Sequence, residues 1–185
     1  MNKIPYFVPS ISNSEIKNVQ KVLKSKWISA GNILSELEDK FAKKISVNKK
    51  KCIGVSSGYS ALFLAIKLSE IKQNDIVLMP NINFVASANI VKHFKGKIVL
   101  VDSESKNNPN ISVEDLKKKL SSKVKAVVIC HYGGYPCDMD NIMKLKNKFN
   151  FILIEDACHA MFTKYKRKKF LGSYGDFSAF SFYAN

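Results

Sequence analysis

Apolar positions in this chain follow a helical rhythm first and a strand rhythm later. Ile16, Val19 and Leu23 share one helical face after the polar start Ser12-Asn13-Ser14-Glu15. Trp27-Ile28-Ser29-Ala30-Gly31 breaks that period, with Gly31 as the flexible joint. Leu34, Leu37, Phe41 and Ile45 then mark a second amphipathic helix. Its acids Glu36, Glu38 and Asp39 precede its lysines, the order a helix dipole favours. The pattern predicts a helical segment over 1–45 that lies outside any sheet, followed by an α/β domain over 46–185.

From Cys52 onward, short unbroken apolar runs alternate with helical periods. Strands are predicted at 52–55, 76–80, 98–102, 126–131, 151–155 and 177–183. Helices are predicted over 61–71 and 86–94, with two more carrying Leu116 and Leu120, and Ile142, Leu145 and Phe149. Ser112-Val113-Glu114-Asp115 reads as a capping box. Strands alternating with helices of this length imply right-handed βαβ units and a mostly parallel sheet.

The run Phe151-Ile152-Leu153-Ile154-Glu155-Asp156-Ala157-Cys158-His159 concentrates the chemistry. Its apolar start reads as a strand buried on both faces, and two carboxylates and a histidine follow at once. Ligands of open α/β sheets bind beyond the carboxyl ends of the strands. A carboxylate buried there needs a cationic partner or good hydrogen bonds.

Composition narrows the partners. A chain of 185 residues with 46% hydrophobic content supports one substantial core. No apolar run approaches the ~20 residues of a membrane span. Met1-Asn2-Lys3-Ile4-Pro5-Tyr6 lacks the apolar core of a signal peptide, so a cytoplasmic protein with no membrane partner is expected. The net charge of +15 is nearly all lysine, Arg167 being the one arginine. Nucleic-acid readers lean on arginine and interleaved aromatics, so no nucleic-acid partner is expected. Lys164-Tyr165-Lys166-Arg167-Lys168-Lys169 reads as a solvated turn. Cys52, Cys130, Cys137 and Cys158 lack metal-ligand spacing and read as reduced, buried thiols, with no metal expected. Asn110-Ile111-Ser112 is a formal glycosylation sequon without relevance in a cytoplasmic protein.

Four further loops fall at strand ends. Ser56-Ser57-Gly58-Tyr59-Ser60 places a glycine among hydroxyls at a strand-to-helix turn, where free N–H groups suit a phosphate or simply cap a helix. It matches neither a Walker loop nor a dinucleotide fingerprint. Phe84 follows the second strand, His131-Tyr132-Gly133-Gly134 a later one, and Ser181 the last. A ligand anionic at one end, aromatic in the middle and protonatable on its ring satisfies all of them. Pyridoxal 5′-phosphate (PLP) is such a ligand.

In their order these motifs resemble the fold-type-I PLP enzymes of the DegT/StrS family, the sugar-nucleotide aminotransferases, from Pro9 to Asn185. The carriers are Trp27 to Gly31, Ser57-Gly58-Tyr59-Ser60-Ala61-Leu62 and the Pro80 to Ser87 segment. With them stand His131 to Asp140, Glu155 to Ala160, and Gly172-Ser173-Tyr174-Gly175-Asp176 with Phe180-Ser181-Phe182. The resemblance implies the large domain of a three-layer, aspartate aminotransferase-like fold. It implies that Asp156 meets the pyridine nitrogen, that His159 lies near the ring hydroxyl and that Phe84 stacks on the ring. Gly58, Tyr59, Ser60 and Ser181 would hold the phosphate. The family has threonine where Tyr59 stands, so Ser60 is expected to supply the hydroxyl.

By the same resemblance, the Schiff-base lysine falls immediately after Asn185, and the C-terminal small domain follows it. The chain as written is therefore expected not to transaminate alone, and to expose apolar surface that the further domain covers. Full-length members take an amino group from glutamate or glutamine, pass it to a keto-sugar nucleotide and act as homodimers. A few relatives carry histidine in place of the lysine and are keto-deoxysugar dehydratases. The alternatives are thus an aminotransferase, a dehydratase, or an inactive product that pairs with another chain.

Overall fold

Burial parity along the strands explains the layers. In β5 (Val124–Cys130), Val127 and Ile129 enter one apolar cluster while Ala126 and Val128 enter another. In β6 (Ile152–Asp156), Leu153 belongs to the first cluster and Ile154 to the second. Side chains alternate across a strand, so two cores on two faces require helices on both. The computed structural model describes residues 8–48 and 51–183. The stretch Met1 to Tyr6 and the terminal Asn185 lie outside them.

β1 (Ile76–Pro80), β2 (Lys97–Val101), β5, β6 and β9 (Phe177–Ala179) form a sheet in the order β2-β1-β5-β6-β9, with every pairing parallel. α5 (Val113–Lys119) and α6 (Met139–Phe149) cover one face through Leu116, Met139 and Ile142. α3 (Gly58–Leu68) and α4 (Ala86–His93) cover the other through Leu62, Ile66 and Ile90. This is the expected α/β sandwich with a parallel sheet.

α1 (Asn13–Ser25) and α2 (Asn32–Ile45) precede the sheet. α1 has a complete capping box between Ser12 and Glu15. None of its residues is buried, so its face of Ile16, Val19 and Leu23 stands open.

Several expectations need correction. Residues 52–55 pair with no strand, because the Gly54 N–H donates to the Glu38 carboxylate on α2 (2.8 Å) instead of to a ladder. The run predicted over 177–183 leaves the sheet after Ala179. Ser112 caps α5, but Asp115 does not complete a box; its carboxylate accepts the Asp102 N–H (2.7 Å) and pairs with Lys119 (2.6 Å). Two short antiparallel hairpins were not predicted as strands: β3 (Ser103–Ser105) with β4 (Asn108–Ile111), and β7 (Lys164–Tyr165) with β8 (Lys169–Phe170). The second turns through Lys166 and Arg167, both left-handed, inside the lysine-rich run. Cys130 and Cys137 are buried, but Cys52 and Cys158 are only half-buried; all four are free thiols.

Candidate active site

Parity on β6 separates the two carboxylates. Glu155 follows Leu153 to the α5/α6 face, and Asp156 follows Ile154 to the α3 face. Glu155 is fully buried and fully bonded. Its Oε1 accepts the N–H of Tyr174 (2.7 Å) and Gly175 (2.5 Å), and its Oε2 accepts the N–H of Gly172 (2.8 Å). Oε2 also meets His131 Nε2 at 3.1 Å. His131 Nδ1 accepts the Cys137 N–H (3.2 Å), so the neutral ring carries its proton on Nε2 and donates to Glu155. The glycine-rich 172–175 loop is therefore wrapped around a carboxylate. Its Asp176 in turn caps the start of β6, accepting the Leu153 N–H (2.8 Å) and pairing with Lys146 (2.6 Å).

Asp156 is satisfied far less. It is 4% exposed, and its partners are on Cys158, whose N–H donates to Oδ1 (3.1 Å) and whose thiol also bonds to it. Among the described residues no lysine, arginine or histidine pairs with it. Its charge is felt nearby: burial first, then Asp156, pushes the Cys130 thiol up to about 12, and the same two causes raise Cys158.

The start of α3 closes against this end of β6. Ser57 caps the helix by accepting the Ser60 N–H (3.1 Å), while the hydroxyls of Ser56 and Ser57 lie 2.9 and 3.0 Å from that of Ser60. The N–H groups of Gly58 and Tyr59 donate to no acceptor among the described residues, as the first turn of a helix allows. A Cβ on Gly58 would lie 3.1 Å from both Cys158 Sγ and Ser181 Cβ, so Gly58, Ser181 and the strand end after Asp156 are brought together. Ser181 Oγ accepts the Tyr183 N–H (3.1 Å). The Tyr59 side chain is half exposed.

His159 is held from the 132–134 turn. The Gly133 N–H donates to its Nδ1 (3.3 Å), and Tyr132 stands edge-on at 5.7 Å. Gly134 has φ +81°, and a Cβ there would meet the His159 carbonyl at 2.9 Å. Phe84 sits after β1 at the same sheet edge and is 66% exposed, so it is a presented ring, not core. No ring contact joins it to His159 among the described residues. Beside it, Asn83 Oδ1 and Ser87 Oγ are buried without a partner. Among the described residues no group of three or more His, Cys, Asp or Glu side chains could hold a metal. No described helix is long and apolar enough to cross a membrane.

The Glu155–His131 pair and the unpartnered Asn83 and Ser87 atoms were not predicted from the sequence. The first of two adjacent acids, between an apolar run and a downstream glycine-rich loop, was the available signal for Glu155. Nothing marked the Asn83 and Ser87 atoms.

The chain is similar in sequence and in fold to known proteins. The model of the DegT/DnrJ/EryC1/StrS aminotransferase family matches residues 9–185. GDP-perosamine synthase of Escherichia coli O157:H7 is 37% identical over 186 residues, covering 100% of this chain and 50% of that protein. Aminotransferase TlmJ of Streptoalloteichus hindustanus superposes with a TM-score of 0.90 at 29% identity, covering 96% of this chain and 48% of that one. GDP-4-keto-6-deoxymannose-3-dehydratase (ColD), solved with bound GDP-perosamine, gives a TM-score of 0.88 at 26% identity over 96% and 47%. The chain spans about half the length of the relatives it matches. With its parallel sheet, its strand-end carboxylate and its family match over 9–185, the chain belongs to the DegT/DnrJ/EryC1/StrS aminotransferase family.

Proposed function

We propose that this chain supplies the cofactor-binding part of a PLP-dependent aminotransferase acting on a keto-sugar nucleotide, in amino-sugar or surface-polysaccharide synthesis. The observation that carries this reading is Asp156, a buried carboxylate with no cationic partner among the described residues, on the same sheet face as two free N–H groups. The residues present fit the cofactor. Gly58 lets the first turn of α3 approach Cys158 and Ser181 closely, where a Cβ would stand 3.1 Å from both.

PLP, when bound, supplies a protonated pyridine ring that accepts an electron pair. The chain's own groups do the rest. Asp156 holds the proton at the ring nitrogen, because a buried carboxylate favours a cation beside it. The N–H groups of Gly58 and Tyr59 and the hydroxyls of Ser60 and Ser181 hold the phosphate at the positive end of α3. His159, with its proton on Nε2, donates toward the ring hydroxyl, and Phe84 covers the ring face. The amino donor is glutamate or glutamine, and the complete enzyme is a homodimer. The second reading, a keto-deoxysugar dehydratase on the same site, is supported by the likeness to ColD.

Calorimetry with pyridoxamine 5′-phosphate tests the site, since that form does not condense with the many surface lysines. Saturable one-to-one binding is expected, weakened at least tenfold by Asp156→Asn and by Ser181→Ala, since each removes a bond to a charged group. Equal affinity in all three chains would refute the assignment.

A further inference from the structure

Asn110 opens the formal sequon Asn110-Ile111-Ser112, yet it is 3% exposed and both ends of its amide are used. Its Oδ1 accepts the Tyr132 N–H (3.1 Å) and its Nδ2 donates to the Tyr135 carbonyl (3.0 Å). Those partners are an N–H and a C=O, so the orientation of the amide is fixed by chemistry. The bonds span 22 and 25 residues and reach the two ends of the turn that presents Gly133 to His159. Asn110 stands on β4, where its own N–H donates to the Asn108 side chain (3.2 Å), so the clamp is anchored in a hairpin and not in a loose loop.

We infer that Asn110 is a positioning residue for His159. It fixes the 132–135 turn, the turn aims the Gly133 N–H at His159 Nδ1, and that bond keeps the imidazole proton on Nε2, the nitrogen left free to face a ligand. An amide is required, since one side chain must accept at one end and donate at the other. A buried asparagine so engaged is also closed to glycosylation.

That His159 faces the cofactor rests on the function proposed above; the clamp itself does not, and cofactor-free protein tests it. In nitrogen-15 spectra of the chain, His159 is expected as the Nε2–H tautomer, with a coupling across the hydrogen bond from the Gly133 N–H to Nδ1. Absence of that coupling and a mixed tautomer overturn the inference without any variant. In Asn110→Ala, amide exchange at Gly133 is expected to rise about tenfold relative to β5, with His159 shifting toward a tautomer mixture. Should Asn110→Ala not fold, Asn110→Asp keeps the acceptor for Tyr132 and sets an oxygen against the Tyr135 carbonyl, with the same direction expected. A variant that loses thermal stability while His159 and Gly133 keep their wild-type signals overturns it. Failure of pyridoxamine phosphate to bind the unsubstituted chain would strike the cofactor reading alone.

Discussion

Replacing Glu155 by glutamine removes one charge and almost no volume, so its effect falls on the polar contacts and not on packing. The carboxylate accepts four donors, two on each oxygen: Tyr174 and Gly175 on Oε1, Gly172 and His131 on Oε2. A glutamine offers one carbonyl oxygen, so one pair keeps its acceptor and the other faces an NH2 group. Two buried donors are then unsatisfied, at about 1–3 kcal/mol each, for a total of about 2–6 kcal/mol. His131 gives no relief. Moving its proton to Nδ1 would strand the Cys137 N–H that this nitrogen now accepts. With total stability of about 5–15 kcal/mol and a urea slope of about 2 kcal/mol/M, Glu155→Gln should lower the urea midpoint by about 1–3 M. A midpoint within about 0.3 M of the parent, at unchanged slope, would refute this account of the 172–175 loop.

Three further outcomes follow from the same structure. Cys158 should alkylate at pH 8 far more slowly than an ordinary thiol, because burial and then the Asp156 charge raise it; Asp156→Asn should speed the reaction only in part, and peptide mapping that finds full parent-like protection in the variant would remove Asp156 as a cause. Asp115 is held below the usual carboxylate range by the Asp102 N–H and then by Lys119, so its contribution to stability is present above about pH 4 and lost as pH falls through its lowered value. The stability gap between the parent and Asp115→Asn should therefore shrink in denaturant titrations from pH 5 to pH 2, and a gap independent of pH would contradict the pairing. Gly58→Val should lower the melting temperature, since a Cβ there would already stand 3.1 Å from Cys158 Sγ and Ser181 Cβ and the valine branches add to that crowding; an unchanged melting temperature would show that this contact gives way freely.

Legibility followed burial. β1 and β6 were readable because a strand buried on both faces must be an unbroken apolar run, and the helix after Asp138 because its cap and period coincide. The 52–55 run failed because apolar content does not reveal where an N–H goes, and Gly54 gives its own to Glu38. The β3–β4 hairpin is short and polar, with no alternation to detect. Among the residues proposed for the site, the motif order brought Gly58, Asp156, His159 and Ser181 forward. The division of labour between Glu155 and Asp156 needed the register of β6, and Asn110 acts through contacts more than 20 residues away. Long-range polar partners leave no periodic trace.

In the proposed function, Asp156 and the first turn of α3 hold the two ends of one cofactor. A crystal structure of the chain with pyridoxamine 5′-phosphate tests it most directly. The phosphate is expected on the N–H groups of Gly58 and Tyr59 and the Ser181 hydroxyl, with the ring nitrogen within hydrogen-bond distance of Asp156. A phosphate bound instead among surface lysines, with Asp156 facing no cation, would contradict it.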